Sequence, residues 1–365
     1  MSVRKLFSAA ALLFAFAALA GCGFKDIDKR FFVVTMGIDP GSRPDTVRVT
    51  LRLAIPSSKI DSGEANTEVE VEEAPTIAEA VRHIKALVDK ELDFGQCRVF
   101  LLGKALLDKG VGESMEWMLR RRDVQMISFV GIAEPDAKTV LSLHPKSERY
   151  PGNALFLSFG NDGTESSYAM TEYLFDWARR MTETGKDAYM PVIRIDKDRN
   201  SYRIDKVAFM DKKKLRLTLD PEETQLYNLS GPRFGKKVLA VPVNGTRVVM
   251  SLMNVRTSVR IEGGNKPVVR FRVRANGAME EIPIRFKNGD LQAIEREMEA
   301  QFNEDLDKLL CKIRDAGVDP YGFGLRYLAS VFGGSKQWAY WKEKYPSVDF
   351  RVESRFLIQE TGLID

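Results

Sequence analysis

This chain has few of the groups that most enzymes use. It has two histidines and three cysteines in 365 residues. His83 sits between Arg82 and Ile84 in a helical pattern, and His144 precedes Pro145. No histidine–cysteine spacing suits zinc, and neither histidine lies in a nucleophile elbow. The glycine-rich stretches Gly231-Pro232-Arg233-Phe234-Gly235 and Gly322-Phe323-Gly324 lack the spacing of a dinucleotide or phosphate loop. They read as turns or close helix contacts. Glu281 and Asp290 are available as paired acids, but nothing singles them out among many acids. An excess of one charge is also missing. Lysine and arginine total 55 against 51 aspartates and glutamates, which argues against the strongly basic face that nucleic acid requires. After residue 22 no apolar run approaches the roughly 20 residues of a bilayer-spanning helix.

What is present begins at the N-terminus. Arg4 and Lys5 form a basic head, and Leu6 to Ala20 is apolar or small without a charge, the layout of a secretory signal peptide. It ends in Leu19-Ala20-Gly21-Cys22, small residues set directly before a cysteine. This resembles the lipobox of bacterial lipoproteins. The resemblance implies signal-peptide cleavage before Cys22, thioether lipidation and N-terminal acylation of that cysteine, and an anchor of two or three chains, which holds far better than one. The remaining cysteines, Cys97 and Cys311, lie in apolar surroundings and read as small buried residues, with a disulfide between them as the alternative. Two short basic clusters, Arg120-Arg121-Arg122 and Lys212-Lys213-Lys214, read as solvated faces, with contact to anionic lipid headgroups as the sharper alternative.

The mature length suits two or three domains. Residues 22–30 are expected to form a linker and residues 31–160 an N-terminal α/β domain. There, strands at Phe31–Pro40, Thr46–Ile55, Thr67–Glu72, Arg98–Gly103 and Gln125–Ala133 alternate with helices at Thr76–Lys90, Lys104–Lys109 and Gly112–Arg122. Thr76 followed by Glu79 has the form of a capping box. Glu134 to Asp162 reads as a packed connector. Residues 161–232 are expected to make a small middle α/β domain, with a helix over Glu165–Thr184, a hairpin at Ala188–Asp196 and Tyr202–Met210, and a helix starting at Asp220-Pro221. Residues 233–365 alternate at period two between Asn-Gly and Gly-Gly turns, then give one long amphipathic helix over Asp290–Ala316 and a closing strand at Asp349–Ile358. The expected fold is therefore mixed α/β in three domains, the last an antiparallel sheet packed against a long helix. Trp338, Tyr340, Trp341 and Tyr345 read as core aromatics, with a grip on a sugar or partner as the alternative.

Taken in order, four landmarks resemble the Ger(x)C lipoproteins, the C subunits of spore germinant receptors. They are Leu19–Cys22 with Gly37-Ile38-Asp39 downstream, the Thr76–Lys90 helix leading into Val99–Leu106, Met118–Arg121 with the strand Ile127–Ala133, and Asp319–Gly324 with Trp338, Trp341 and Tyr345-Pro346 before the closing Thr361–Ile364. The family's usual aromatic–acid pair after the lipidated cysteine is replaced by Gly23-Phe24-Lys25-Asp26. The resemblance implies a non-enzymatic subunit without cofactor or metal, held by Cys22 on the outer face of the spore inner membrane. Its partners would be a membrane-spanning A subunit and a transporter-like B subunit, in an assembly that senses nutrients. It supplies no ligand-binding residues. A solute-binding lipoprotein of an ABC importer shares the anchor but requires two doubly wound domains with a hinge. A secreted hydrolase is disfavoured by the scarcity of histidine.

Overall fold

The computed structural model describes residues 29–54, 67–145, 153–159, 166–231, 237–243, 245–281 and 291–360. The lipobox residues Leu19, Ala20, Gly21 and Cys22 lie outside them, as do Asp290 and the closing Thr361–Ile364.

Among the described residues, nine strands form the larger sheet: β1 (Arg30–Pro40), β2 (Val47–Ala54), β3 (Thr67–Ala74), β4 (Glu91–Asp93), β5 (Val99–Gly103), β6 (Phe129–Ala133), β7 (Ala188–Asp196), β8 (Ser201–Met210) and β9 (Leu215–Thr218). The spatial order is β3-β2-β1-β5-β6-β7-β8-β9, with β4 beside the start of β1. β1, β5, β6 and β7 are parallel, and antiparallel meanders flank them. β6 pairs directly with β7, so residues on both sides of the boundary expected at 160 share one sheet.

β5 shows why the sheet sits where it does. Its residues are all buried, Phe100 and Leu102 on one face and Val99 and Leu101 on the other. A parallel strand covered on both faces reads as a continuous apolar run, and this one does. The first face is covered by α1 (Ile77–Leu87), which buries Ile77, Ala80, Val81 and Ile84. Thr76 caps this helix by accepting the Glu79 N–H at 3.2 Å. After α2 (Lys104–Lys109) and α3 (Gly112–Arg120), the short helices α4 (Ala137–Leu141) and α5 (Asn153–Phe159) cover the second face. These two helices lie in the stretch expected to be a connector. Then α6 (Leu174–Thr182) buries Leu174, Trp177 and Met181 against the first face.

Two glycines in the landmark segments have steric reasons. A Cβ on Gly37 would meet that of Ala137 at 2.7 Å, and one on Gly103 would stand 1.9 Å from the Asp39 carboxylate. Asp39 is buried and accepts the Ala137 and Lys138 N–H groups at 2.8 and 3.0 Å, which fixes α4 to the end of β1. Gly103→Ala must displace that carboxylate. It is expected to lower stability by about 3 kcal/mol, combining overpacking with disturbed buried hydrogen bonds, as read by urea unfolding.

Two expectations change. The helix over Glu165–Thr184 starts only at Leu174, because residues before it pair with the sheet: Tyr173 bridges Phe129, and the Val130 N–H donates to the Glu172 carbonyl. The strand over Gln125–Ala133 begins at Phe129, since residues 125–128 form a turn whose Gln125 amide donates to the Gly95 carbonyl. The short strands β4 and β9 had no sequence expectation.

α7 (Pro221–Ser230) carries the capping box of Asp220 and Glu223 and packs on β8. A second sheet follows, made of β10 (Lys237–Val243), β11 (Thr246–Leu252), β12 (Arg256–Glu262), β13 (Val268–Glu281) and β14 (Asp349–Glu360). The hairpins are antiparallel as expected, β11 and β12 lying along one edge of β13. β14 joins the other edge in parallel, because the chain returns through the helices α8 (Leu291–Asp315), α9 (Phe323–Ser330) and α10 (Ser335–Lys344). α8 buries Ile294, Met298, Phe302, Leu306, Leu309 and Ile313, the stripe the sequence indicates. An aromatic ladder joins the two sheets: Phe209 to Tyr227 at 4.8 Å, Tyr227 to Tyr321 at 5.0 Å, and Tyr321 to Phe271 at 5.4 Å. Each such pair adds about 1 kcal/mol beyond its buried area.

Candidate functional site

The segment Asp319-Pro320-Tyr321-Gly322-Phe323-Gly324 is a docking joint. The first N–H groups of α9 need acceptors outside the helix. The buried Asp319 carboxylate takes those of Gly322, Phe323 and Gly324 at 2.8, 2.9 and 2.7 Å. The next, from Leu325, goes to the Gly185 carbonyl at 2.7 Å. Asp187 and Asp319 exchange two further bonds: the Asp187 N–H donates to the Asp319 carbonyl at 2.9 Å, and the Asp319 N–H donates to the Asp187 carboxylate at 2.8 Å. Lys212 lies 3.4 Å from Asp187 and donates to the carbonyls of Arg180 and Lys186. The cluster Lys212–Lys214 is thus partly a structural device. Burial pushes the Asp319 carboxyl up to about 7; the Asp187 charge adds to this and the three N–H donors oppose it. Gly185 sits at φ 81°, and a Cβ there would meet the Leu325 nitrogen at 2.5 Å. This joint ties the second sheet's helices to the loop that leads into β7.

Beneath it lies a buried ion pair. Glu172 and Arg180 approach at 3.0 Å with side chains 0% and 7% exposed, and the guanidinium stands 4.7 Å over the Tyr189 ring.

The C-terminal aromatics face inward. Trp341 and Tyr345 are buried and Trp338 and Tyr340 are half-buried. Tyr327 stacks on Trp341 at 4.8 Å, and a Cβ on Gly324 would collide with the Trp341 indole nitrogen at 2.8 Å. The fully exposed aromatic in this region is Phe332.

His83 is exposed. His144 bonds Thr67 and the Ser142 carbonyl on the surface. Among the described residues no group of three or more His, Cys, Asp or Glu side chains is placed to hold a metal ion. Cys97 is buried and free and Cys311 is half-buried and free, so no disulfide joins them. Burial pushes the Cys97 thiol well above its ordinary range.

A cleft of about 400 Å³ opens between α7, β10 and α8, floored by Leu226, Leu239, Val241, Phe302 and Leu309. Its charged rim is largely committed to internal bonds: Lys312 to Glu223 and Lys308 to Glu304, each at 2.5 Å, and Asp305 to the Gln301 amide at 3.0 Å.

Cys22 is outside the described residues; the chain that follows it enters the fold at the start of β1, at Arg30. Among the described residues no helix is long and apolar enough to cross a membrane.

Comparison with known proteins agrees over nearly the whole chain. The family described as spore germination protein N-terminal domain matches residues 23–195, and the family described as spore germination B3/GerAC-like, C-terminal, matches residues 205–362. The junction between them falls in the β7–β8 hairpin. Spore germination protein GerQC of Bacillus cereus is 20% identical over 311 residues, 83% of this chain and 85% of that protein. The crystal structure of the GerBC protein is similar in fold, with a TM-score of 0.57, 16% identity, and coverage of 89% of this chain and 97% of that one.

Proposed function

This chain belongs to the GerAC-like family of spore germination proteins, and on that premise we propose that it is the lipid-anchored C subunit of a nutrient germinant receptor. Its place is the outer face of the spore inner membrane, attached through Cys22 beside membrane-embedded A and B subunits. It acts by binding and positioning those partners, not by turning over a substrate. The observation that carries this reading is the pair of family matches, in order and together running from residue 23 to residue 362. The Leu19–Cys22 lipobox supports the anchor.

The importer-type solute-binding reading is disfavoured by topology. It calls for two doubly wound halves about a hinge, whereas here one mixed nine-stranded sheet carries a smaller sheet of hairpins. Deleting the gene tests the function. The deletion spores are expected to lose dipicolinate release in response to the nutrients their receptor serves, while the intact gene supplied in trans restores it. Unchanged release across amino acids, sugars and nucleosides, alone and in mixtures, would count against the proposal.

A further inference from the structure

The parallel strands β1, β5 and β6 all start at one end of the large sheet, and that end carries an unusual surface. α3 descends to it and runs into Arg120-Arg121-Arg122 and the turn at 125–128. Two apolar side chains of this turn point into solvent: Ile127 is 64% and Met126 39% exposed. Phe175, 43% exposed, joins them, since its N–H donates to the Met126 carbonyl at 3.0 Å. Arg98 is next to this group, its carbonyl accepting the Phe129 N–H at 2.8 Å.

Among the described residues, the charge at this end is positive once internal pairs are set aside. Asp93, Asp123 and Glu116 are held by Arg30, Arg121 and Arg120 at 2.5, 2.5 and 3.0 Å. Arg98 and Arg122 are exposed and make no ion pair among the described residues, and Lys29 is exposed at the point where the chain enters. Arg98 instead lies 5.0 Å over the Phe156 ring, which holds its charge at the surface. Apolar side chains among free cations make an interfacial pattern: the apolar groups enter the headgroup boundary and the cations meet lipid phosphates.

The tether selects the occupant. Only six residues lie between Cys22 and Lys29, and the seven Cα-to-Cα steps from one to the other span at most about 25 Å. An anchor at Cys22 therefore keeps this end close to the bilayer. We propose that this end of the sheet docks on the anionic lipid surface, with Met126, Ile127 and Phe175 entering the interface and Arg98, Arg122 and Lys29 contacting phosphates. The orientation rests on the anchor proposed above, whereas the lipid affinity of the face does not.

The test separates the two. The full mature chain carrying Cys22→Ala, and so without acyl chains, is sedimented with phosphatidylglycerol–phosphatidylcholine vesicles and with phosphatidylcholine vesicles alone. It is expected to bind only the anionic vesicles, and more weakly as salt rises. Combining Arg98→Glu with Arg122→Glu is expected to cost roughly thirtyfold in binding, and Ile127→Asp about tenfold. As a readout that does not depend on loss of binding, an environment-sensitive dye on Ile127→Cys, in a Cys311→Ser background, should shift to the blue on anionic vesicles. The face is overturned if the Cys22→Ala chain binds both vesicle types alike, or if these variants bind as their parent does. It is also overturned if the dye stays wet on vesicles and is shielded only in membranes holding other receptor subunits. If the face fails while the wild-type chain remains bilayer-bound, the anchor stands. If the wild-type chain carries no lipid, the anchor fails and the vesicle result still judges the face.

Discussion

Asp319→Ala is expected to lower stability by about 3–9 kcal/mol, from three buried N–H groups left without their acceptor at about 1–3 kcal/mol each. A domain's whole margin is about 5–15 kcal/mol, so the variant should unfold far earlier in urea, with the C-terminal tryptophans reporting first. Asp319→Asn keeps the shape and one oxygen. It should lose less, mainly the bond to the Gly324 N–H. The aspartate also sets a pH dependence. Its folded pKa is raised to about 7, mainly by burial, so between its ordinary value and 7 the folded state binds more protons than the unfolded one. Stability from this group is therefore fully present at low pH and falls as pH rises, by about 1.4 kcal/mol per unit until roughly pH 7. Unfolding followed from about pH 5 to about pH 8 should show a steeper decline in wild type than in Asp319→Asn. Equal slopes would place the titration elsewhere.

Glu172→Ala is expected to cost about 3–5 kcal/mol, because it leaves the Arg180 guanidinium buried without its carboxylate. Replacing both members by apolar residues, as in Glu172→Met with Arg180→Leu, should recover much of that loss. Thermal melts of the two single variants and the double variant give the coupling directly. If the double variant is as unstable as the sum of the singles, the pair is not coupled and the packing of the two chains is what matters.

The sequence makes the regular elements readable where one period dominates. The α8 stripe from Ile294 to Ile313 and the buried run of β5 are visible because each presents an unbroken pattern to one core. The failures come where long-range pairing overrides local preference. Ala169, Met170 and Glu172 favour helix, yet Glu172 and Tyr173 are held extended by β6. α5 is short and flanked by prolines and glycines, so its Leu155 and Phe159 read as a packed loop until they are seen on the sheet. The parallel entry of β14 depends on where three helices deliver the chain, which no local pattern encodes. The Asp319 joint was partly legible, since an aspartate shortly before a Gly-Phe-Gly helix start is a capping signal. Its second partner, the 185–187 loop, is over 130 residues away. The lipid-facing residues were half visible. The Arg120–Arg122 cluster stands out in the sequence, but the exposure of Ile127 and Phe175 depends on which end of the sheet they occupy.

The most direct measurement is affinity purification of the tagged chain from detergent-solubilised spore inner membrane, with Cys22→Ala in parallel. Recovery of A- and B-type membrane subunits with wild type, and their loss with Cys22→Ala, is the predicted result. Recovery of importer permease and ATPase components instead, or of neither membrane subunit with wild type, would contradict the receptor-subunit assignment.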